Sequence, residues 1–269
     1  MLAFFEMRLP LTVTIITLNE EAHISAAIRS VSGWAEEVLV VDSGSKDDTL
    51  RIAKELGARV LTNAWKGYGQ QKNFAQDQAS HDWVLNLDAD ERATDALKKE
   101  IDEQLNPIEL KLTSAAAFAI PRKNFYLGRW IRFGGWYPNR LVRLADRRRA
   151  RWSEPDVHEV LTVAQGKGRI KELRQPIEHF GFLAIHDQIE TNARYSRLGA
   201  QLLLKQGRKS SLTKLILKPL GKFIETYLFK RGFLDGLPGF IISVNAAYSM
   251  FMKYSYLIES DLREDSHRR

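Results

Sequence analysis

The stretch His81–Arg92, HDWVLNLDADER, places a short apolar run directly before two carboxylates that are one residue apart. Trp83–Leu87 is typical of a buried parallel strand, and Asp88 and Asp90 follow it. Open α/β sheets bind ligands at the carboxyl ends of their strands. Two carboxylates this close repel each other unless a cation neutralises them. A divalent metal ion with the phosphates of a ligand would do so, and the stretch therefore predicts a metal and phosphate site.

A simpler interpretation of the same residues is a turn. Asp-x-Asp occurs by chance in many chains, and Asp90 could cap the helix that we expect from Thr94 to Leu105. The rest of the chain has to decide between the two interpretations.

Strands and helices alternate on the amino-terminal side of this stretch. The predicted order is strand Leu11–Leu18, helix Asn19–Val31, strand Glu37–Val41, helix Thr49–Leu56, strand Arg59–Leu61, helix Gln70–Ala79 and strand Trp83–Leu87. This alternation predicts parallel βαβ units and a doubly wound α/β sheet.

Polar residues collect where these strands end. Thr17 and Asn19 end the first strand, Asp42 follows the second, and Asp88 and Asp90 follow the fourth. Asp42 alone could be an ordinary loop cap, but together these positions favour a shared nucleotide site. The first strand lacks the G-x-G-x-x-G of a dinucleotide dehydrogenase, and the chain has no P-loop motif.

Composition limits the class of protein further. The 269 residues include no cysteine, which excludes disulfides, thiolate zinc sites and cysteine nucleophiles and fits a reducing cytoplasm. The net charge of +7 indicates an anionic partner such as a phosphorylated substrate or a membrane face, and we expect no nucleic-acid partner. Met1–Glu6 is not a convincing signal peptide, and Gly236–Met252 is short and broken for a spanning helix, which needs about 20 apolar residues.

Four blocks carry a resemblance to a known family. TVTIITLNEE, EEVLVVDSGSKDDT, GYGQQKNFA and WVLNLDADE occur in this order within Leu11–Glu91. They resemble the nucleotide-binding half of family 2 glycosyltransferases, which have the GT-A fold. The aromatic, glycine-rich stretch Arg122–Gly135 suggests an acceptor-side hairpin or loop, and with the strand that begins at Arg140 it more closely resembles lipopolysaccharide and lipooligosaccharide core β-1,4-glucosyltransferases.

The resemblance implies an inverting, metal-dependent transferase. We expect it to move glucose from UDP-glucose onto an inner-core heptose of a lipopolysaccharide precursor, with Mn²⁺ or Mg²⁺ as cofactor. The nucleotide-sugar-binding residues that it implies are Thr17, Asn19, Glu20, Asp42, Lys72, Asn73 and Asp88, and the metal ligands are Asp88, Asp90 and His179. Simpler interpretations remain, with Lys72 as a solvated helix charge and His179 as a structural histidine.

An inverting transferase needs a carboxylate that takes the proton from the acceptor hydroxyl. The stretch Trp152–Glu159, WSEPDVHE, supplies three. Its Val-His-Glu end resembles the corresponding motif of the core glucosyltransferases, so we place the base at Glu159 first and at Asp156 second. Glu154 remains a third candidate, and a plain solvated loop is the simpler interpretation.

The last third of the chain is predicted to be helical. We expect a GT-A domain over residues 7–180, a helical extension over 181–260 and a disordered tail over 261–269. The expected helices are Asp187–Gln206, Leu212–Arg231 and Gly236–Ile258. The second carries Lys214, Lys218 and Lys222 on one side and apolar residues on the other, which is typical of an interfacial helix. We expect peripheral binding to the anionic cytoplasmic face of the inner membrane, with a helical subdomain packed on the sheet as the alternative.

Other functions stay open at this point. The donor could be another nucleotide sugar such as ADP-heptose. A nucleotidyltransferase also binds nucleotides on an α/β sheet, but it usually has a glycine-rich loop where this chain has Asn19-Glu20-Glu21. A non-catalytic membrane adaptor would need the basic helices and not the Asp-x-Asp pair.

Overall fold

The structure, a computed structural model, describes residues 9–153, 159–182 and 184–267. Their contacts divide the chain into two compact units. The first contains the described residues up to Arg122 together with Arg140–His179, and the second contains Lys123–Asn139 and the described residues from Phe180 onward. Residues 123–139 therefore cluster with the carboxyl-terminal helices, although the sequence places them within the first domain.

The strands of the described residues follow one another closely. They are β1 Leu9–Thr17, β2 Ala35–Asp42, β3 Arg59–Thr62, β4 Trp83–Asp88, β5 Glu91–Ala93, β6 Ala115–Tyr126, β7 Arg129–Trp130, β8 Asn139–Asp146, β9 Ala150–Trp152, β10 Leu161–Val163, β11 Arg169–Glu172 and β12 Ile177–His179. The main sheet has the order β3-β2-β1-β4-β8-β6-β12-β5, and β11 and β7 also pair with β6. β1 is parallel to β2 and β4, β8 is antiparallel to β4, and β9 and β10 form a separate pair.

The helices of the described residues divide between the two units. The first unit contains α1 Ile24–Val31, α2 Thr49–Glu55, α3 Tyr68–Gln78, α4 Asp95–Gln104 and α5 Pro107–Thr113, and the second contains α6 Ile185–Lys205, α7 Leu212–Ile224 and α8 Gly236–His267. A π-helical turn, Glu225–Phe229, and a 3-10 turn, Gly232–Asp235, join α7 to α8. The predicted α/β architecture followed by a helical region is confirmed.

The core of the first unit explains why these segments fold as they do. Leu11, Val13 and Ile15 of β1 are fully buried, and α1 packs on the same cluster through the apolar face that includes Ile24 and Ile28. β-branched residues fit a pleated strand, and the helical spacing of α1 gives it one buried side. The central strands are therefore held by apolar burial on the sheet face.

The strand register brings the predicted site residues to one edge. Thr17 of β1 lies opposite Asp42 of β2, and Ile16 lies opposite Asp88 of β4. Because the three strands are parallel, their carboxyl ends meet at this edge.

Helix α1 begins at Ile24, whereas the sequence predicts that it begins at Asn19. Asn19 has φ +56°, a left-handed conformation that a helix does not accept. Its N–H donates to Ser45 Oγ at 2.8 Å, and its Oδ1 accepts from the Lys46 N–H at 2.9 Å. The segment after β1 is therefore held to the loop after β2.

Helix α4 is capped by Thr94, whose Oγ1 accepts the Leu97 N–H at 3.1 Å. Asp90 lies before strand β5, away from this cap. The interpretation of Asp90 as the cap of this helix is therefore wrong.

The second unit begins with a β-hairpin. Phe125 and Tyr126 of β6 pair with Trp130 and Arg129 of β7, so the predicted hairpin forms within Arg122–Gly135. Tyr126, Ile131 and Ile242 make a small buried core against which Trp136 and Phe182 pack.

Two helix boundaries of this unit differ from the predicted ones. Helix α7 ends at Ile224 and gives way to the π-helical turn, whereas the sequence predicts one helix to Arg231. Helix α8 continues to His267, past Asp261 where a disordered tail is predicted to begin. An i,i+4 ion pair between Glu259 and Arg263 supports this extension. None of the helices in the described part of the chain combines the length and apolar character needed to cross a bilayer.

Candidate active site

The edge where β1, β2 and β4 end carries most of the predicted site residues. Asp42 is fully buried, and its Oδ2 accepts the N–H groups of Gly44 at 2.7 Å and Ser45 at 2.9 Å. Its Oδ1 accepts from Ser45 Oγ at 2.5 Å. Both carboxylate oxygens thus stabilise their own loop, as an ordinary loop cap does, and contact with a nucleoside base stays a prediction.

Thr17 presents an unsatisfied polar atom at the same edge. Its side chain is buried, and Thr17 Oγ1 has no hydrogen-bond partner among the described residues. An unpaired buried hydroxyl costs about 1–3 kcal/mol, so a ligand that pairs with it gains binding free energy. This geometry fits the predicted role of Thr17 in nucleotide binding.

Glu20 lies in a negative environment. Burial and neighbouring carboxylates raise the pKa of Glu20 from 4.5 to about 7. The carboxylates, in decreasing order of effect, are those of Asp90, Asp47 and Asp88. This part of the edge therefore favours cations, while the Glu20 N–H is held by Thr49 Oγ1 at 2.8 Å.

Asp88 is held between two cations. Arg143 Nη2 lies 2.5 Å from Asp88 Oδ2 and Arg143 Nη1 lies 3.2 Å from Asp88 Oδ1, while Lys72 Nζ lies 3.5 Å from Asp88 Oδ1. Burial by itself would raise the pKa of Asp88, but the positive charges of Arg143 and Lys72 outweigh it and hold that pKa well below its ordinary value. Asp88 is therefore ionised at neutral pH and engaged by protein cations, and its predicted role as metal ligand stays a prediction.

Lys72 also reaches the predicted base. Its side chain is 6% exposed, and Nζ donates to Glu159 Oε1 at 2.9 Å. The same ammonium group lies over the ring of Trp152, 4.6 Å from the centroid. Lys72 is therefore no solvated helix charge, because it links Asp88 to Glu159 from the buried side of α3.

Asn73 is hydrogen-bonded to the protein backbone through its side-chain amide. Its Nδ2 donates to the Trp152 carbonyl at 3.0 Å, and its Oδ1 accepts the Trp152 N–H at 3.0 Å. The amide thus holds the end of β9, the strand before the stretch that carries Glu159. A contact of Asn73 with the nucleotide stays a prediction.

Asp90 and His179, two of the predicted metal ligands, lie side by side. The pairing of β5 with β12 places His179 opposite Glu91, so Asp90 Oδ2 lies 3.2 Å from His179 Nε2. Two neighbouring ligands on a small ion with bonds of about 2.1 Å have a similar separation. Carboxylate oxygen suits Mg²⁺ and Mn²⁺, and imidazole is a common metal ligand.

The described residues bring together no group of three or more His, Cys, Asp or Glu side chains that could hold a metal ion. Metal binding by the predicted set Asp88, Asp90 and His179 therefore stays a prediction.

The second base candidate, Asp156, lies outside the described residues, as do Glu154 and His158. Among the described residues, Glu159 is the carboxylate of the WSEPDVHE stretch that reaches the site, and its side chain is 20% exposed.

Sequence reasoning missed two residues of this cluster, Arg143 and Glu91. Arg143 is 4% exposed and Glu91 is fully buried. An arginine in the apolar run Arg140–Leu144 gives a weak signal, because the alternation of that strand does not show which side faces a carboxylate. Glu91 directly follows the Asp-x-Asp pair, but the sequence does not show that its side chain is buried. The structure shows this burial.

Comparison with known proteins identifies the family. The profile described as Glycosyl transferase family 2 matches residues 12–163, more than half of the chain. An uncharacterized glycosyltransferase of Rickettsia typhi is 32% identical over 266 residues, which cover 93% of this chain and 87% of that protein. The lipopolysaccharide core biosynthesis glycosyltransferase LpsC of Rhizobium meliloti is 30% identical over 251 residues, which cover 91% of this chain and 90% of that protein.

Among solved structures, one similar protein is glucosyl-3-phosphoglycerate synthase from Mycobacterium tuberculosis in complex with Mn²⁺, UDP-glucose and phosphoglyceric acid. It is 29% identical to this chain, with 44% of each chain covered and a TM-score of 0.33. A TM-score this low carries no argument about the ligands of this chain. The family profile and the relatives that match almost end to end identify the family: the chain belongs to Glycosyl transferase family 2 and is a glycosyltransferase.

Proposed function

We propose that this glycosyltransferase transfers glucose from UDP-glucose to an inner-core heptose of a lipopolysaccharide precursor, with inversion at the anomeric carbon. The similarity to LpsC, a lipopolysaccharide core biosynthesis glycosyltransferase, supports the class of acceptor because it extends over 91% of this chain. The aromatic stretch Arg122–Gly135 and the Val-His-Glu motif support the choice of glucose through their resemblance to core glucosyltransferases.

One observation carries the proposal: Lys72 lies between Asp88 and Glu159 at the carboxyl edge of the sheet. The nucleoside diphosphate gains negative charge as it leaves the sugar, and the buried ammonium group of Lys72 stabilises this charge better than an exposed one would. Glu159 takes the proton of the acceptor hydroxyl as that oxygen attacks the anomeric carbon. No covalent bond to the protein is required.

Asp90 and His179 would hold the divalent cation, Mn²⁺ or Mg²⁺. When bound, the cation neutralises the diphosphate of the donor and so favours its departure. Thr17, with its unsatisfied hydroxyl, and Asp88 face the nucleotide from the ends of β1 and β4.

We propose that the protein acts at the cytoplasmic face of the inner membrane, to which it binds peripherally. Helix α7 supports this proposal because it exposes a set of large apolar side chains: Leu212, Ile216, Leu217, Leu220 and Ile224. Lys214 and Lys218 of the same helix are also exposed. Exposed apolar residues bordered by lysines match an anionic lipid surface.

A donor panel tests the proposal. The protein is incubated with Mn²⁺ or Mg²⁺, a heptose-terminated lipopolysaccharide core and one nucleotide sugar at a time, and release of the nucleoside diphosphate is measured. We expect release of UDP from UDP-glucose and product with inverted anomeric configuration. Turnover with ADP-heptose alone would replace the donor, and no turnover with any nucleotide sugar would contradict the proposal.

Thermal unfolding with UDP and Mn²⁺ separates the enzyme from a non-catalytic membrane adaptor. A protein that binds UDP with the metal is stabilised by the ligand, whereas an adaptor without a nucleotide site keeps its melting temperature.

A further inference from the structure

Arg143 joins the two ends of the turn that carries the Asp-x-Asp pair. Its Nη2 lies 2.5 Å from Asp88 Oδ2 and 3.1 Å from Glu91 Oε1. The other oxygen of Glu91, Oε2, accepts the backbone N–H of Asp88 at 3.0 Å. Guanidinium, two carboxylates and one backbone N–H thus form a closed ring around residues 88–91, with Asp90 inside the turn.

Arg143 and Glu91 of this ring are buried, and hydrogen bonds are stronger in such a low-dielectric environment. Arg143 is 4% exposed and Glu91 is 0% exposed. Hydrogen bonds between ionised groups are about twice as strong as neutral ones, and a planar guanidinium can serve two carboxylates at once. Replacing Arg143 would remove the two contacts through which one guanidinium joins Asp88 to Glu91.

Two other cations also lie beside these carboxylates, so Arg143 is not needed for charge neutralisation alone. Lys72 Nζ lies 3.5 Å from Asp88, and Arg122 Nη1 lies 3.6 Å from Glu91 Oε1. Each carboxylate therefore keeps a cation if Arg143 is replaced. What no other described residue supplies is the link between the two carboxylates.

The partner of Asp90 is placed independently. His179 lies in β12, and the pairing of β12 with β5 fixes it from the far end of the turn. Asp90 meets His179 only if the turn keeps its shape between Asp88 and Glu91.

We propose that Arg143 is a positioning residue that holds the Asp88–Glu91 turn in the form that presents both aspartates to the metal and the nucleotide. The inference rests on the proposed function. In this role Arg143 does not contact the substrate. The shape of the turn depends on Arg143, whereas the charge balance at Asp88 does not.

The test compares Arg143→Met and Arg143→Lys with Arg140→Met. Arg140 is a matched control because it lies in the same strand and binds the Leu173 carbonyl and Glu172, away from the turn. Hydrogen–deuterium exchange is followed in the peptides that contain residues 86–92 and, for comparison, residues 11–17 of β1. Binding of UDP in the presence of Mn²⁺ is measured by calorimetry on the same samples.

We expect Arg143→Met to exchange faster in residues 86–92 and not in residues 11–17. Its dissociation constant for UDP with Mn²⁺ should rise about 10–100-fold, the usual range when the partner of a metal ligand is removed. Arg143→Lys keeps the charge without the fork and should resemble Arg143→Met more than the wild type, while Arg140→Met should bind UDP normally.

Unchanged exchange in residues 86–92, or faster exchange with normal UDP binding, overturns the positioning role. So does full rescue by Arg143→Lys, because charge alone would then suffice. If Arg143→Met does not fold, Arg143→Lys decides by the same two measurements. If the wild type binds no nucleoside diphosphate with Mn²⁺, the proposed function fails. The exchange measurement on residues 86–92 needs no nucleotide, so it shows separately whether Arg143 holds the turn.

Discussion

At the scale of single residues, the cations of the site are paired with its carboxylates before any ligand binds. Lys72 and Arg143 face Asp88, and Lys72 also pairs with Glu159. A diphosphate that enters this site competes with Glu159 for the ammonium group of Lys72. Under the proposed function, Glu159 would then become available for the acceptor hydroxyl once the donor is bound.

Replacing Glu159 with Gln should slow the chemical step on the order of 10²-fold or more, the usual contribution of general-base catalysis. Glutamine keeps the size of the side chain and a hydrogen-bond acceptor for Lys72 but accepts no proton at neutral pH. Binding of UDP should stay intact. Single-turnover kinetics measures the chemical step, and calorimetry measures UDP binding.

Asp156→Asn is the control, since this residue belongs to the same stretch. If the Asp156 variant loses activity and the Glu159 variant keeps it, Asp156 is the base. If both variants turn over normally, the acceptor is activated by another group, and the anomeric configuration of the product has to establish the mechanism directly.

Replacing Asp90 with Ala should abolish turnover and most of the metal-dependent binding of UDP. His179 alone supplies one neutral ligand, and the carboxylate provides the charge that a divalent cation requires. Calorimetric titration of UDP with and without Mn²⁺ measures the effect. Asp95→Ala is a matched control because the Asp95 side chain is 98% exposed and pairs with Lys98. A near wild-type rate for Asp90→Ala would show that Asp90 is not a metal ligand.

The sequence predicts those residues of the candidate site that end strands or belong to motifs. Asp88, Asp90 and Lys72 are of this kind, and the structure brings them to one edge. Arg143 was missed because the contact of a strand arginine with a carboxylate 55 residues away in sequence depends on register, which a local pattern does not give. Asn73 belongs to a motif, yet its amide is used by the backbone of β9.

At the scale of elements, apolar runs predicted the central strands well because burial on the sheet determines them. The start of α1 was not predictable in the same way. Asn19 adopts a left-handed conformation that depends on hydrogen bonds to Ser45 and Lys46 in another loop. Element ends that depend on such tertiary contacts leave no periodic signal.

Glu37 joins three neighbouring segments of the first unit through hydrogen bonds. Its Oε2 accepts from Thr12 Oγ1 at 2.6 Å and from the Ser80 N–H at 2.7 Å. Its Oε1 accepts from Arg59 Nη1 at 2.7 Å and from Ser80 Oγ at 2.9 Å. Burial by itself would raise the pKa of Glu37, but these hydrogen bonds outweigh it and lower that pKa from its ordinary value of 4.5.

Glu37→Gln should lower the free energy of unfolding at pH 7 by about 2 kcal/mol, the range of a hydrogen bond to a charged group. Because the pKa of Glu37 is lower in the folded state, its ionisation stabilises the fold fully above the unfolded-state pKa, and this stabilisation is lost as the pH falls through the folded-state pKa. The difference between wild type and variant should therefore shrink below about pH 4.5. Urea unfolding between pH 7 and pH 4 measures it.

Glu55→Gln is the control for this pH dependence, since the Glu55 side chain is 61% exposed and pairs with Arg51 one turn away on the same helix. Its effect should stay within about 0.5 kcal/mol. A pH-independent loss of stability in Glu37→Gln would show that packing, and not the charge, accounts for the effect.

At the scale of the whole molecule, the net charge of +7 and the exposed apolar side of α7 bear on membrane binding. Lys222 pairs with Glu225 at 3.0 Å, so its charge is partly engaged within the protein. Lys214 and Lys218 are exposed on the same helix, and under the proposed membrane binding they would meet the lipid phosphates.

Replacing both Lys214 and Lys218 with Gln should weaken binding to vesicles of phosphatidylglycerol and phosphatidylcholine about 30-fold, since each lysine near an anionic surface contributes about 1 kcal/mol. Flotation at increasing vesicle concentration measures the partition coefficient, and high salt should reduce wild-type binding in the same way. The double variant Lys54→Gln and Lys99→Gln changes the net charge equally, at exposed positions of the first unit, and should bind nearly as the wild type does. Equal losses in both double variants would mean that net charge alone attracts the protein to the membrane, without a part for α7. A wild type that stays unbound at every vesicle concentration would contradict the proposed peripheral location itself.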